Sequence, residues 1–98
     1  MIALQPGQFE RIAKALSDPR RFALLEQISA GKECPQSTLC RMFPVTKATI
    51  SHHLKELQQA GLVSSEKDGQ YCCYTVRRDV LQAYSDELMR RVGAKAIA

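Results

Sequence analysis

Four cysteines, Cys34, Cys40, Cys72 and Cys73, are the side chains in this sequence with the clearest capacity for chemistry. Their thiolates can bind soft metal ions or undergo oxidation, provided that the fold brings the sulfur atoms together. Cys72 and Cys73 are neighbours in a predicted strand, so they point to opposite faces and form a poor chelate. We expect Cys72 to pack inward with Tyr74 as a small hydrophobic residue, and Cys73 to be more exposed.

A second group of polar side chains, within residues 46–55, suits contacts with nucleic acid. Ile50, Leu54 and Leu57 recur at spacings of four and three, which places them on the inner face of a helix. The residues that project outward or to the flanks are Lys47, Thr49, Ser51, His52 and Lys55. Hydroxyls and lysines suit phosphates, and a histidine can donate to guanine or phosphate. For this helix alone, a solvated surface that holds two lysines explains the pattern equally well.

The elements that would position these side chains are five helices and one β-hairpin. The first helix covers about residues 8–16. The second starts at Pro19 after an Asp18 cap and ends with Gly31 in the C′ position. Pro35 is expected to open the third helix.

The hairpin and the last helix follow from turn and cap signals. Two strands are predicted at about residues 62–66 and 70–76, joined by a turn at Asp68-Gly69. Asp79 is expected to cap the last helix.

The third and fourth helices and the hairpin together form a recognisable layout. Pro44 interrupts the chain, Thr46 can cap the fourth helix, and Gly61 can close it. A helix, a turn, a second helix and a two-stranded wing make up a winged helix-turn-helix DNA reader. The sequence therefore predicts a mainly α winged helix-turn-helix domain that binds double-stranded DNA. The predicted DNA-contacting residues are Arg20, Gln36, Ser37, Thr46, Lys47, Thr49, Ser51, His52, Lys55, Lys67 and Gln70.

Three further charged or titratable residues have alternative roles. Either Arg20 or Arg21, at the start of the second helix, could reach a phosphate or pair with Asp18. His53 lies beside Leu54, so we expect a partly buried, hydrogen-bonded structural histidine, ahead of a DNA contact or a metal ligand.

Composition restricts the class of protein. With 98 residues the chain is expected to form one domain, residues 1–98, and its net charge of +4 suits a polyanionic partner. The sequence has no apolar run of the roughly 20 residues that span a bilayer, and its start does not resemble a secretory signal. We therefore expect a cytoplasmic protein with reduced cysteines. No glycine-rich phosphate loop, paired carboxylates or nucleophile motif indicates an enzyme.

Three stretches of the chain resemble the ArsR/SmtB group of bacterial winged-helix repressors. These stretches are ALSDPRRFALLEQI, VTKATISHHLKELQQAGLV and KDGQYCCYTV, within residues 13–88. The resemblance implies a homodimer that binds an inverted-repeat operator and releases it when a ligand arrives. It also implies a dimer seam made by the first and last helices. In this chain the seam would use Phe9, Ile12, Val80, Tyr84, Leu88 and, at its margin, Met89.

The two metal sites that are common in that family are incomplete here. The arsenic-type pattern resembles Cys-x-Cys-x-x-Cys, of which this chain keeps Cys40 but has Pro35 and Ser37 at the other two positions. The zinc-type site on the last helix keeps only Asp79, while Leu81, Val92 and Lys95 occupy the other ligand positions. No cofactor is therefore expected to be required.

Three hypotheses for the signal remain open. The protein could respond to an unknown small molecule or bind DNA constitutively. It could be a redox switch that uses Cys34 with Cys40, or either of them with a wing cysteine. It could hold a thiophilic metal ion through Cys34, Cys40 and a third donor.

A protein-interaction module is the main alternative to a DNA-binding regulator, because winged helices can also bind proteins. Such a module is expected to expose an apolar patch, whereas the outer face of the fourth helix is polar.

Overall fold

The computed structural model describes residues 2–31, 34–69 and 71–93. Within these ranges it contains the five predicted helices, the two wing strands and one additional short strand. The elements, in chain order, are α1 (Gln8–Leu16), α2 (Pro19–Ala30), β1 (Cys34–Pro35), α3 (Gln36–Met42), α4 (Lys47–Gln59), β2 (Val63–Asp68), β3 (Tyr71–Val76) and α5 (Arg78–Leu88), and a π-helical turn, Met89–Gly93, extends α5. The predicted contact Gln70 and the ligand position Lys95 lie outside the described residues.

Helix starts follow the predicted caps in two cases and differ in two. Asp18 caps α2 by accepting the backbone N–H groups of Arg21 and Arg20 at 3.1 and 2.9 Å, which lowers the pKa of its carboxyl. Thr46 caps α4. Pro35 precedes α3 and pairs in β1 instead of opening the helix. Asp79 lies inside the first turn of α5, where it accepts the N–H of Val80 and binds the Arg77 guanidinium, so its prediction as the N-cap is wrong.

The two glycines that were predicted to end helices, Gly61 and Gly31, have different backbone conformations. Gly61 follows α4 with a φ of 82°, the left-handed conformation that glycine adopts without a steric penalty. Its N–H donates to the carbonyl of Gln58 at 2.9 Å, and that of Leu62 donates to Leu57 at 3.0 Å, which satisfies two of the last carbonyls of α4. Gly31 instead has φ −112° and ψ 167°, so α2 ends in extended backbone and the predicted C′ geometry is wrong.

The sheet has the strand order β1-β3-β2, and all of its pairs are antiparallel. Asp68 pairs with Tyr71, so Asp68 belongs to strand β2, whereas the sequence predicted it in the turn. Gly69 has a φ of 62°, which explains the need for glycine there. The strand β1 was not predicted, because two residues are too short to show a periodic pattern; it ties the start of α3 to β3 through the pair Cys34 and Tyr74.

The buried side chains of the helices and the wing form one cluster. The largest fully buried members are Ile12, Leu24, Ile28, Leu39, Ile50, Leu54, Leu57 and Leu62. No helix among the described residues has the length and apolar character needed to cross a membrane.

Two residues predicted for a dimer seam belong to the core of the protomer. Ile12 is 0% exposed and Val80 is 3% exposed, so their side chains pack against other residues of the same chain. Their placement in the seam is therefore corrected: they support α1 and α5 from the inner side.

Candidate nucleic-acid interface

Helix α4 presents one apolar and one polar face, as its sequence predicts. Ile50, Leu54 and Leu57 are buried in the core. The exposed residues on the other side are Lys47, Ser51, His52 and Lys55. A helix that is held by its inner face and exposes short polar and cationic side chains near its N-terminus has the form that enters a major groove.

The start of α4 is stabilised by two threonines. The backbone N–H of Thr49 donates to Thr46 Oγ1 at 3.1 Å, and the two hydroxyls lie 2.9 Å apart. Thr49 is half-buried, whereas Thr46 is exposed. Both residues lie at the N-terminal end of α4, where their hydrogen bonds stabilise the start of the helix, and their contact with DNA stays a prediction.

A hydrogen bond between two predicted contacts joins α3 to α4. Gln36 Nε2, at the start of α3, donates to Ser51 Oγ at 2.9 Å. The Tyr74 hydroxyl of β3 approaches Gln36 Oε1 at 3.5 Å, a long and weak bond. Ser37 is exposed beside Gln36. The sequence indicated Gln36 and Ser51 separately, but it gave no sign of their contact, since fifteen positions separate them in the chain.

The two arginines at the start of α2 have different environments. Arg20 is exposed and free to reach a phosphate. Arg21 is buried, and its Nη1 donates to the carbonyl of Ala15 at 3.5 Å. Of the two arginines that the sequence left open, the structure places only Arg20 at the surface.

His53 on α4 is buried, with 7% of its surface exposed, which is deeper than the partial burial predicted. Its Nδ1 has no hydrogen-bond partner among the described residues, whereas the sequence predicted a hydrogen-bonded histidine without assigning the bond to either nitrogen. Burial lowers the pKa of His53, the nearby Asp18 carboxylate opposes this, and Arg21 reinforces it. A neutral imidazole is therefore favoured at this position.

The wing, β2 and β3, is anchored to α4, the recognition helix of the predicted helix-turn-helix layout. The tip of the wing is exposed. Gln58 Nε2 of α4 donates to Ser65 Oγ of β2 at 2.6 Å, and the hydroxyls of Ser64 and Thr75 pair across the strands at 2.9 Å. Lys67 is exposed near the turn, as predicted. Tyr71, which the sequence did not indicate, is 66% exposed at the start of β3.

Comparisons with known proteins agree with this geometry. The sequence model of the protein family described as "Bacterial regulatory protein, arsR family" matches residues 18–65, from the cap of α2 into the wing. The transcriptional repressor SdpR of Bacillus subtilis (strain 168) is 35% identical over 71 residues, which cover 72% of this chain and 78% of SdpR. The chain belongs to the arsR family. It is a DNA-binding transcription regulator of the winged helix-turn-helix type.

One further relative and one solved structure match a larger share of the chain. The arsenical resistance operon repressor of Staphylococcus xylosus is 32% identical over 83% of this chain and 77% of that protein. The solved structure of an ArsR-like transcriptional regulator from Rhodococcus sp. RHA1 superimposes with a TM-score of 0.78 at 29% identity, covering 89% of this chain and 80% of that one. The relatives are transcription regulators and not enzymes.

The four cysteines of this arsR-family chain lie on three elements, β1, α3 and β3. Cys40 on α3 and Cys72 on β3 are half-buried thiols that line the same cleft, with a volume of about 590 Å³. Cys72 packs on the core from the same face of β3 as the buried Tyr74, as predicted, while Cys73 is also half-buried instead of clearly more exposed. The prediction for the Cys34 side chain lies outside what the structure describes. Among the described residues, no group of three or more His, Cys, Asp or Glu side chains could hold a metal ion.

An apolar surface lies along α1 and α5. The rings of Phe9 and Tyr84 are 5.0 Å apart, and the Arg91 guanidinium lies 4.1 Å from the centre of the Phe9 ring. Leu88 is 39% exposed and Met89 is also exposed at the end of α5. Four of the predicted seam residues thus remain at the surface of the protomer.

Proposed function

We propose that this arsR-family regulator is a repressor that binds an inverted-repeat operator as a homodimer, in the cytoplasm. The observation that carries the proposal is the polar face of α4. Lys47, Ser51, His52 and Lys55 are exposed together on a helix whose opposite face is locked in the core. Two such helices in a dimer would read two half-sites about one helical turn apart.

The residues proposed to contact DNA, on α4 and on its neighbouring elements, divide into positioning and reading groups. Lys55, Lys67 and Arg20 are exposed cations that suit phosphates and supply salt-dependent affinity. Ser51 and His52 carry short polar groups suited to base edges. Gln36 supports Ser51 from α3, so it contributes by orienting that hydroxyl.

The apolar surface supports the dimer. Phe9, Tyr84, Leu88 and Met89 offer aromatic and aliphatic area on α1 and α5. A chain of 98 residues has a thin core, so pairing these surfaces would add apolar burial that the protomer lacks.

Fluorescence anisotropy tests the function. The reduced protein is titrated into labelled DNA from the region upstream of its own gene and into a shuffled duplex of equal composition, at several salt concentrations. We expect at least 10³-fold preference for the upstream DNA, which is the low end for specific binders. Affinity for both duplexes should fall steeply with salt, because phosphate contacts release counterions. Weak, salt-insensitive binding to both duplexes would favour the protein-interaction alternative.

The readout residues are tested in the same assay. Replacing Ser51 or His52 by Ala should reduce the preference between the two duplexes, by about 1–3 kcal/mol for a good base contact. Discrimination equal to that of the wild type would remove the altered residue from the reading group.

A further inference from the structure

A cleft of about 590 Å³ lies between the start of α3, the start of α4 and strand β3. Two thiols line it, those of Cys40 on α3 and Cys72 on β3. Both residues are half-buried and contribute to the wall of the cleft. The cleft therefore combines two soft nucleophiles with room for a small organic ligand.

The cleft also carries unneutralised positive charge. Arg41 and Lys47 line it, both are exposed, and neither forms an ion pair in the described part of the chain. Two cations at the mouth of a cleft raise the local concentration of anions. An anionic ligand is therefore favoured over a neutral one of the same size.

Tyr74 connects the thiols to the interface. It is buried, and burial raises the pKa of its hydroxyl above the usual range, so the group stays a proton donor. Cys72 lies two residues earlier on the same face of β3, and its nearby thiol adds to this rise, while the hydroxyl approaches Gln36 Oε1 at 3.5 Å. A hydroxyl has one proton to donate, so an acceptor introduced at Cys72 would compete with Gln36 for it.

Gln36 connects the Tyr74 hydroxyl to α4. Its Nε2 donates to Ser51 Oγ at 2.9 Å, so the same amide group touches Tyr74 on one side and the recognition helix on the other. A stronger acceptor at Cys72 would withdraw the Tyr74 proton from Gln36, which would then be free to turn away from Ser51.

We propose that this cleft is the effector site, and that a small, negatively charged electrophile is captured there by the Cys72 thiol and weakens DNA binding through Tyr74, Gln36 and Ser51. The inference rests on the proposed operator binding, of which it names the regulation. It uses Cys72, a wing residue, as the nucleophile, with Arg41 and Lys47 selecting the ligand by charge.

The step can be written for iodoacetate as a probe. Cys72 Sγ forms a bond to the methylene carbon, the carbon–iodine bond breaks, iodide leaves with its electron pair, and the thiol proton goes to water. The adduct places a carboxylate beside the Tyr74 hydroxyl, and a carboxylate oxygen is a stronger acceptor than sulfur or the Gln36 amide.

The first experiment measures selectivity without DNA. Rates of modification by iodoacetate and by the neutral iodoacetamide are followed at each cysteine by fragment-ion mass spectrometry, with an unstructured cysteine peptide as the reference. We expect the iodoacetate-to-iodoacetamide rate ratio at Cys72 to exceed that of the peptide roughly three- to ten-fold, the effect of about one nearby charge at a protein surface. Arg41→Gln should bring the ratio back towards that of the peptide. An unchanged ratio, or faster reaction at Cys40, would overturn the assignment.

The second experiment measures the consequence. Upstream DNA should bind at least tenfold more weakly to protein carboxymethylated at Cys72 than to the same protein before modification. Cys72→Ser, compared with its own untreated form, should lose this response, whereas Cys40→Ser should keep it. Complete modification of Cys72 with unchanged affinity would overturn the regulatory role. If the untreated protein fails to select its upstream DNA, the proposed function fails instead, and the rate ratio still tests the cleft.

Discussion

At the scale of single residues, the exposed and buried members of the interface have different tasks. Lys55 is exposed on the polar face of α4, while His53, two positions earlier, is buried. Positions two apart on a helix point about 200° apart, so one residue can contact DNA and the other can pack against the core.

The first prediction concerns Lys55. Lys55→Ala should weaken binding to upstream and shuffled DNA by similar factors, because a phosphate contact carries no sequence information. The slope of log K against log salt should become shallower by roughly two, one for each copy in a dimer. The anisotropy titration measures both effects. An unchanged salt slope would show that Lys55 does not contact phosphate.

The second prediction concerns His53. Because burial lowers its pKa in the folded state, the unfolded chain binds more protons just below the usual histidine value of about 6.5. Stability should therefore fall as the pH drops below that value, through the folded-state pKa. Asp18, whose folded pKa is lowered below 3.8, loses its contribution only in more acidic solution.

Denaturant titrations at a series of pH values between 7.5 and 5 test this assignment. His53→Gln should flatten the stability profile in that range, since glutamine does not titrate. The matched variant is His52→Gln, which removes the exposed histidine next to it. A profile that flattens in the second variant and not in the first would contradict the role of His53.

At the scale of elements, the turn at the end of α4 determines the direction in which the chain enters the wing. The left-handed Gly61 turns the chain from the recognition helix into β2, and Gln8 Nε2 of α1 donates to the carbonyl of Ala60 at 3.0 Å. A Cβ at Gly61 would lie 2.7 Å from that same Gln8 nitrogen. The turn is therefore restricted by both its dihedral angles and its neighbour.

The third prediction follows from this restriction. Gly61→Ala should lower the free energy of unfolding by roughly 1–2 kcal/mol for the left-handed backbone, and further because Gln8 must move. Gly69→Ala is the matched control: its φ is 62°, but an added Cβ meets nothing within 4 Å. Thermal unfolding at one protein concentration should place the Gly61 variant below the Gly69 variant. The reverse order would show that the contact with Gln8 has no cost.

At the scale of the whole molecule, the arrangement of the protomer leaves α1 and α5 with outward apolar area. The inner sides of these helices are used by Ile12 and Val80, and their outer sides carry Phe9, Tyr84 and Leu88. The DNA-reading face and the proposed seam therefore belong to different helices, so pairing need not cover α4.

The fourth prediction tests the seam. Leu88→Glu should convert a dimer into a monomer, because a charged carboxylate would have to be buried in an apolar interface. Sedimentation velocity measures the change, and footprinting of wild-type protein should show two protected half-sites about 34 Å apart. Phe22→Gln alters another exposed apolar residue, on α2 outside the seam, and should remain dimeric. A wild-type protein that is monomeric at micromolar concentration would contradict the proposed dimer.

The sequence by itself determined the five helices, the wing, the caps at Asp18 and Thr46, and the two faces of α4. These features depend on local periodicity, short-range hydrogen bonds and the special backbone of glycine and proline, which neighbouring residues specify. The third strand, the Asp79 contact with Arg77 and the extension of β2 to Asp68 were not predictable, because each depends on pairing geometry more than on a pattern. The tertiary structure alone decided that Arg21 is buried and Arg20 exposed, and that Ile12 and Val80 serve the core. It alone brought Cys40, Cys72 and Tyr74 together beside Gln36 and Ser51, since contacts between distant segments follow from how the elements pack.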